Sequence, residues 1–277
     1  MAYDDDPGAD GAARFTRRAE RMLRAWLGDL ALAARLLTRL PFLPGPDAAA
    51  PGPAEPRPLV RAVRVFPLVG AGVGLASGVI YAILSAIGLP DILAAIVALA
   101  AAALLTGALH EDGLADTADG FGGGRTREHK LAIMRDSRIG AYGVIALVLV
   151  LVAKLGAVVD LDRIGLVMAA LIASGATSRA FLPALMRWLE PARADGLGAG
   201  AGRPPESAVY AGLAVALVIA LIMLNWTGLV AMIIAGAGAW LMAQLAKRQI
   251  GGQTGDVLGA TQMITEVLFL LTVAAIR

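Results

Sequence analysis

The chain of 277 residues is 58% hydrophobic, with a mean hydropathy of +0.71 and a formal net charge of only +2. Soluble domains are about 45–50% apolar, and a soluble domain of this length has too little interior to hide the surplus. An ordinary soluble globular protein is therefore excluded, and an all-α integral membrane protein is expected. Cysteine is absent, which removes disulfide frameworks and thiolate metal sites.

Residues 1–13 read as a disordered tail; with no apolar h-region and no small-residue cleavage site, they are not a signal peptide. Over 14–43 the pattern is amphipathic. Arg14, Arg17, Arg18, Arg21 and Arg24 precede Leu27, Leu30, Leu32, Leu36 and Leu37, which suits a helix lying on an anionic membrane face. Residues 44–58 form a Pro/Ala-rich linker, and 59–277 read as a polytopic membrane catalytic domain. Seven apolar segments are expected to cross the bilayer: 67–89, 91–109, 141–159, 164–186, 207–224, 227–246 and 257–276. Each is near the ~20 residues a spanning helix needs, and Asn225-Trp226 is a natural interfacial turn between the fifth and sixth. Gly70, Gly72, Gly74 and Gly78 in the first segment, and Gly236 and Gly238 in the sixth, allow close helix packing in lipid. With the N-terminus in the cytoplasm, twenty-one Lys and Arg fall on that side and two, Arg163 and Arg277, on the other; Lys154 lies inside a segment. The positive-inside rule favours that orientation.

Residues 110–124, HEDGLADTADGFGGG, then form a cytoplasmic acidic segment between two greasy runs. Asp112, Asp116 and Asp119 are spaced by four and then three, one stripe of a helix. Like charges so placed repel, more strongly at a membrane boundary, so a cation is called for. Mg²⁺, which takes oxygen ligands and brings substrate phosphates with it, is the expected one, with Glu111 as a further ligand. Gly113 and Gly120 each lower helix propensity by about 1 kcal/mol and would let a bulky ligand approach the backbone. Arg125, Arg127 and Lys130 follow, then Arg135, Asp136, Ser137 and Arg138. Acids beside glycines and arginines suit a metal-bound diphosphate, and hence phosphoryl transfer at the cytoplasmic face. A solvated acidic connector is the rival; the regular spacing argues against it. EF-hand ligand spacing is absent, and His110 and His129 belong to no metal cluster and read as hydrogen-bonding or interfacial residues.

A second polar focus is GGQTGDVLGATQMITEV, residues 251–267. Thr254 can cap a helix and Asp256 favours its positive end. Capping does not account for Glu266 further in. An acid within a span is costly and functional by default, so Glu266 is expected to pair with Lys154 or Arg179, or to touch substrate. Ser178-Arg179 offers a second phosphate clamp, with snorkelling as the alternative for Arg179.

These segments carry a family resemblance. LTRLPF at 37–42, VFPLVGAGVG at 65–74, HEDGLADTADGFGGG at 110–124, IMRDSRIGAYG at 133–143, SRAF at 178–181 and GGQTGDVLGATQMITE at 251–266 resemble, in order, the cobalamin synthase family (adenosylcobinamide-GDP ribazoletransferase). The resemblance covers nearly the whole chain after the N-terminal tail. It implies a Mg²⁺-dependent enzyme of the prokaryotic cytoplasmic membrane. Such an enzyme joins adenosylcobinamide-GDP to α-ribazole or its 5′-phosphate and releases GMP. On that reading Asp112, Asp116 and Asp119, with Glu111, hold one or two Mg²⁺ ions, and one aspartate, Asp119 first, is the general base. Arg125, Arg135 and Arg138 stabilise phosphoryl charge, while Asp136, Ser137, Arg179, Thr254, Asp256 and Glu266 complete the substrate pocket. Expected partners are the two substrates, the lipid bilayer, and a second copy or other cobalamin-assembly enzymes; no nucleic acid is expected. The CDP-alcohol phosphatidyltransferases are a mechanistic likeness only. Their pattern runs DG, two residues, then AR, whereas Asp112-Gly113-Leu114-Ala115-Asp116 is one residue short and ends in Asp. An ion-coupled transporter, the third reading, would place its acids near mid-bilayer.

Overall fold

A backbone in lipid must satisfy its own hydrogen bonds, so long apolar runs fold as helices. The computed structural model describes residues 7–40, 59–194 and 202–277. Its helices are α1 (Pro7–Leu37), α2 (Leu59–Ala62), α3 (Phe66–Ala86), α4 (Asp91–Thr106), α5 (Leu109–Gly123), α6 (Arg127–Ile133), α7 (Ala141–Asp160), α8 (Ile164–Ala180), α9 (Leu182–Trp188), α10 (Glu206–Ile250) and α11 (Gly255–Ile276). A 3-10 turn, Val63–Val65, joins α2 to α3. Among the described residues there is no strand, only an isolated parallel bridge between Pro191 and Gln253.

Five helical stretches are long and apolar enough to cross a membrane: Leu59–Ala86, Ala141–Asp160, Ile164–Trp188, Glu206–Ile250 and Gly255–Ile276. Helices α4 and α5 qualify only as a pair, bent by 87°. All seven expected apolar segments fall on helices, with three differences in how they end. The segment expected over 91–109 stops at Thr106, because Gly107 (φ 66°) and Ala108 (φ 55°) are both left-handed, a conformation that terminates a helix. The segment expected over 164–186 is interrupted at Phe181, where Pro183 enters the first turn of α9. Helix α10 contains the fifth and sixth segments and folds back at Asn225 (φ 53°, ψ −136°). A Cβ on Gly228 would lie 2.3 Å from the carbonyl oxygen of Ala220, whereas eight residues of straight helix would span about 12 Å. At the N-terminus α1 begins at Pro7, so residues 7–13 of the expected tail are helical; residues 1–6 and the 44–58 linker lie outside the described residues.

Small residues set the helix spacing. A Cβ on Gly70 would sit 2.0 Å from the Gly175 carbonyl oxygen, and one on Gly74 2.1 Å from that of Leu171, so α3 and α8 touch backbone to backbone. Helix α1 docks through Ala33 and Leu37 onto Val63, Val65 and Phe66. Asp29 accepts from Arg64 Nη2 at 2.7 Å, and the Arg64 guanidinium lies 4.5 Å over the Trp26 ring. The outer faces stay greasy: Leu104 is 78% exposed, and Ile87, Leu149 and Ile222 also face outward, as lipid-facing residues do.

Candidate active site

The acidic segment is helix α5, packed lengthwise against the start of α11. Gly113 lines the cleft, and helix packing gives two of the glycines a further reason. A Cβ on Gly113 would lie 2.8 Å from the Asp256 carbonyl oxygen, and one on Gly259 3.2 Å from Gly113 Cα, so this pair lets the two helices meet. Gly120 likewise accommodates the Met134 side chain. The contact brings Asp112 and Asp256, distant in sequence, to one cleft. The cleft has a volume of about 760 Å³ including its mouth. Its remaining walls come from α1, α2, α3 and α9 and are apolar.

The three aspartates of α5 go to different ends. Asp112 is exposed at the cleft. Asp116, one turn on, is half-buried. Burial first, then the charges of Asp112, Asp256 and Asp119, push its carboxyl up to about 7 against the weaker pull of Arg193. Asp119 is 8% exposed and turned the other way. Its Oδ2 accepts from Gly140 N at 2.7 Å and its Oδ1 from Gly143 N at 2.9 Å. It caps the N-terminus of α7 from another helix, satisfying orphan amides and the positive dipole end. A Cβ on Gly140 or Gly143 would come within 2.4 Å of this carboxylate, which explains the two glycines in IGAYG. Glu111 leaves the stripe; its Oε2 is buried without a hydrogen-bond partner.

Asp256 accepts from Arg193 Nη2 at 2.9 Å and from Thr254 Oγ1 at 3.2 Å. Thr254 also accepts from Val257 N, the expected cap of α11. Arg193 is the residue that sequence reading assigned no role beyond topology. Ala192 N donates to the Gln253 carbonyl at 2.8 Å and Gln253 N to the Glu190 carbonyl at 2.9 Å, and this clasp carries Arg193 to the cleft. Arg127 reinforces it by donating to the carbonyls of Ile250 and Ala192, and Lys130 donates to Gln249. These two basic residues hold protein rather than face the acids. Arg193 Nη1 is buried and unpartnered.

Arg125, Arg135, Ser137 and Arg138 are exposed on the turns flanking α6. Arg138 pairs with Asp136 at 2.7 Å, and its side-chain and backbone hydrogen bonds lower the Asp136 carboxyl to about 2. His129 is exposed, its amide donating to the Thr126 cap of α6.

Deeper along α11, Glu266 pairs with Lys154 at 2.8 Å, one of the two partners expected for it. Gln262 Nε2 bridges Glu266 and Ser178 Oγ, 3.0 Å to each. Arg179 is 3% exposed and does not snorkel; its Nη1 donates to the Gly175 carbonyl and its Nε lacks a partner. His110 connects this layer to the cleft: it lines the cleft, is 3% exposed, and its buried Nε2 is unpartnered.

Among the described residues no three acids or histidines gather around a single point. A Mg²⁺ ion does not need three, since it usually takes one or two carboxylates and completes its shell with water and substrate phosphate. Asp112 and Asp256 across one cleft, beside a carboxyl whose ionisation they oppose, are a donor set that fits it.

The family model for CobS, cobalamin-5-phosphate synthase, matches residues 29–274. A Bradyrhizobium diazoefficiens protein named adenosylcobinamide-GDP ribazoletransferase is 47% identical over 256 residues, 92% of this chain and 96% of its own. Proteins of the same name from Azorhizobium caulinodans and Xanthobacter autotrophicus are 45% and 46% identical, covering 89% and 88% of this chain and 95% of each relative. No solved structure matches. From residue 29 almost to its end, through the acid-bearing helix and the helix that packs on it, the chain belongs to the CobS, cobalamin-5-phosphate synthase, family.

Proposed function

We propose that this protein is an adenosylcobinamide-GDP ribazoletransferase of the prokaryotic cytoplasmic membrane, with its cleft open to the cytoplasm. It transfers the adenosylcobinamide-phosphate group to α-ribazole or α-ribazole 5′-phosphate. The observation that carries this reading is the meeting of Asp112 and Asp256 in one cleft with Asp116 beside them. Family membership supplies the corrinoid.

Asp112 and Asp256 are the residues that would hold Mg²⁺. Bound there, the ion would neutralise diphosphate oxygens and make GMP a better leaving group. In the reaction a ribazole hydroxyl oxygen bonds to the phosphorus on the cobinamide arm. The bond from that phosphorus to the bridging oxygen breaks, and GMP leaves with both bonding electrons. Asp116, one turn from Asp112 on the same helix face, takes the hydroxyl proton. Arg193, through its unpartnered Nη1, meets phosphoryl charge while holding Asp256. Asp119 fixes α7 against α5 and so keeps the α5 stripe in register. Arg125, Arg135 and Arg138 lie at the exposed approach and attract the anionic substrate.

Purified protein in lipid, given adenosylcobinamide-GDP, α-ribazole and Mg²⁺, should release one GMP for each adenosylcobalamin formed. Label passing from a CDP-alcohol into lipid, with no corrinoid product, would show a phosphatidyltransferase instead. Uptake of unmodified solute into sealed vesicles would show a transporter.

A further inference from the structure

The cleft holds more than acids. Beyond Asp112 and Asp256 its walls are Leu37 of α1, Phe66 of α3, Leu182 and Met186 of α9, and Leu258 of α11. The first four are buried from solvent and pack on one another. The enclosed part of the cleft, about 130 Å³, is smaller than a drug-sized ligand site and has room for one small ring system. An adenosylated corrin with its side chains is far larger, and its many amides would be stranded against leucines, a costly burial. A flat heteroaromatic ring is the part of either substrate that gains from this surface. His110 is among the lining residues, and its Nε2 is buried without a hydrogen-bond partner. The carboxylates of Asp112 and Asp256 belong to residues lining the same space.

We propose that this cleft is the acceptor subsite: it takes the benzimidazole base of α-ribazole between α1 and α9, with His110 Nε2 hydrogen-bonded to the base's unsubstituted ring nitrogen. The inference rests on the transferase reading above. The base lies among Leu37, Phe66, Leu182 and Met186, and the ribose extends toward Asp112 and Asp116, where its hydroxyl meets the diphosphate. The corrinoid stays outside, over the mouth. Helix α1 therefore acts as a wall of the nucleoside pocket, anchored by the Asp29–Arg64 pair, and the side chains at 37 and 186 set which lower-ligand base is accepted.

The test measures both substrates separately. In Met186→Phe and Leu37→Phe, which fill the space, KM for α-ribazole should rise about tenfold or more while KM for adenosylcobinamide-GDP stays within about twofold. A rise confined to the corrinoid, or no rise in either, overturns the assignment. Met186→Ala only opens space and guards against misfolding of the filled variants. It should shift kcat/KM about tenfold toward a riboside of the wider naphthimidazole, and an unchanged preference overturns the proposal. For His110 the probe is the α-riboside of indole, which has CH in place of the free nitrogen. The unmodified protein should favour the benzimidazole about tenfold, and His110→Ala should abolish that preference. A His110→Ala variant that slows both nucleosides equally removes His110 from the contact. Failure of the unmodified protein to make GMP from these substrates would refute the transferase reading itself; normal turnover with the wrong KM shifts refutes only the subsite.

Discussion

Around Asp112 and Asp256 the carboxylates outnumber the cations that reach them, whereas three turns deeper along α11 Glu266 meets Lys154, Gln262 and the nearby Arg179. Both regions set acids and bases beside α11, the cleft with α5 and the deeper cluster with α7 and α8. In the deeper one Lys154 and Arg179 are matched by Glu266 and Glu111, so the charges balance within the chain, as buried ion pairs must if they are not to destabilise it. In the cleft Arg193 serves Asp256, but Asp116 is left among three like charges. An internally matched cluster holds a fold together. An unmatched one at a cleft calls for something from outside, which on the proposed reading is a cation and a diphosphate.

The largest effect should come from removing that unmatched charge. Asp112→Asn and Asp256→Asn should each lower kcat about 10³-fold or more, with size-exclusion profile and insertion unchanged. Loss below about tenfold in both would break the contrast between the regions. Next comes the matched cluster: Glu266→Leu strands Lys154 and should cost about 3 kcal/mol of stability. The Glu266→Leu/Lys154→Met double variant should recover most of it in thermal unfolding. A double variant as unstable as the single would mean that the pair is not self-contained.

A smaller and opposite effect is expected at Asp116. Its carboxyl sits above the ordinary aspartate range, at about 7, so stability is lost as pH rises from the ordinary aspartate range toward that value, and the full cost is present above it. Without divalent cation, Asp116→Asn should stabilise the protein at pH 8 by roughly 1 kcal/mol, allowing for solvent screening of a half-buried group. At pH 3.5, where the carboxyl is largely protonated in the folded and unfolded chains alike, the gain should nearly vanish. Stabilisation equal at both pH values would contradict the crowding of acids. The smallest effect belongs to Arg138→Ala. It breaks an exposed pair with Asp136 and should leave the melting temperature unchanged while raising KM for adenosylcobinamide-GDP modestly and in a salt-dependent way.

Much of this contrast can be read from sequence, because lipid imposes simple demands. Apolar runs near 20 residues become helices, and the fold-back at Asn225 lies where Asn225-Trp226 interrupts the run. The four-then-three spacing of Asp112, Asp116 and Asp119 does lie on one helix. What escapes sequence reading is set by partners far along the chain. Asp119 is diverted by amides 21 and 24 residues away. Arg193 reaches Asp256 only because the Glu190–Ala192 backbone bonds to Gln253. The break after α4 depends on Ala108 adopting a left-handed conformation that its side chain gives no reason to expect. Gly113 reads equally as a ligand's approach or a helix contact until Gly259 is seen against it.

The central claim is that Asp112 and Asp256 carry the cation that receives the diphosphate. Its most direct test is GMP release against free Mg²⁺ for the unmodified protein and for Asp112→Asn in the same lipid. Turnover should be absent in chelator and recover saturably for the unmodified protein, and the variant should be about 10³-fold slower and need about tenfold more Mg²⁺. Equal rates with superimposable Mg²⁺ curves would contradict it.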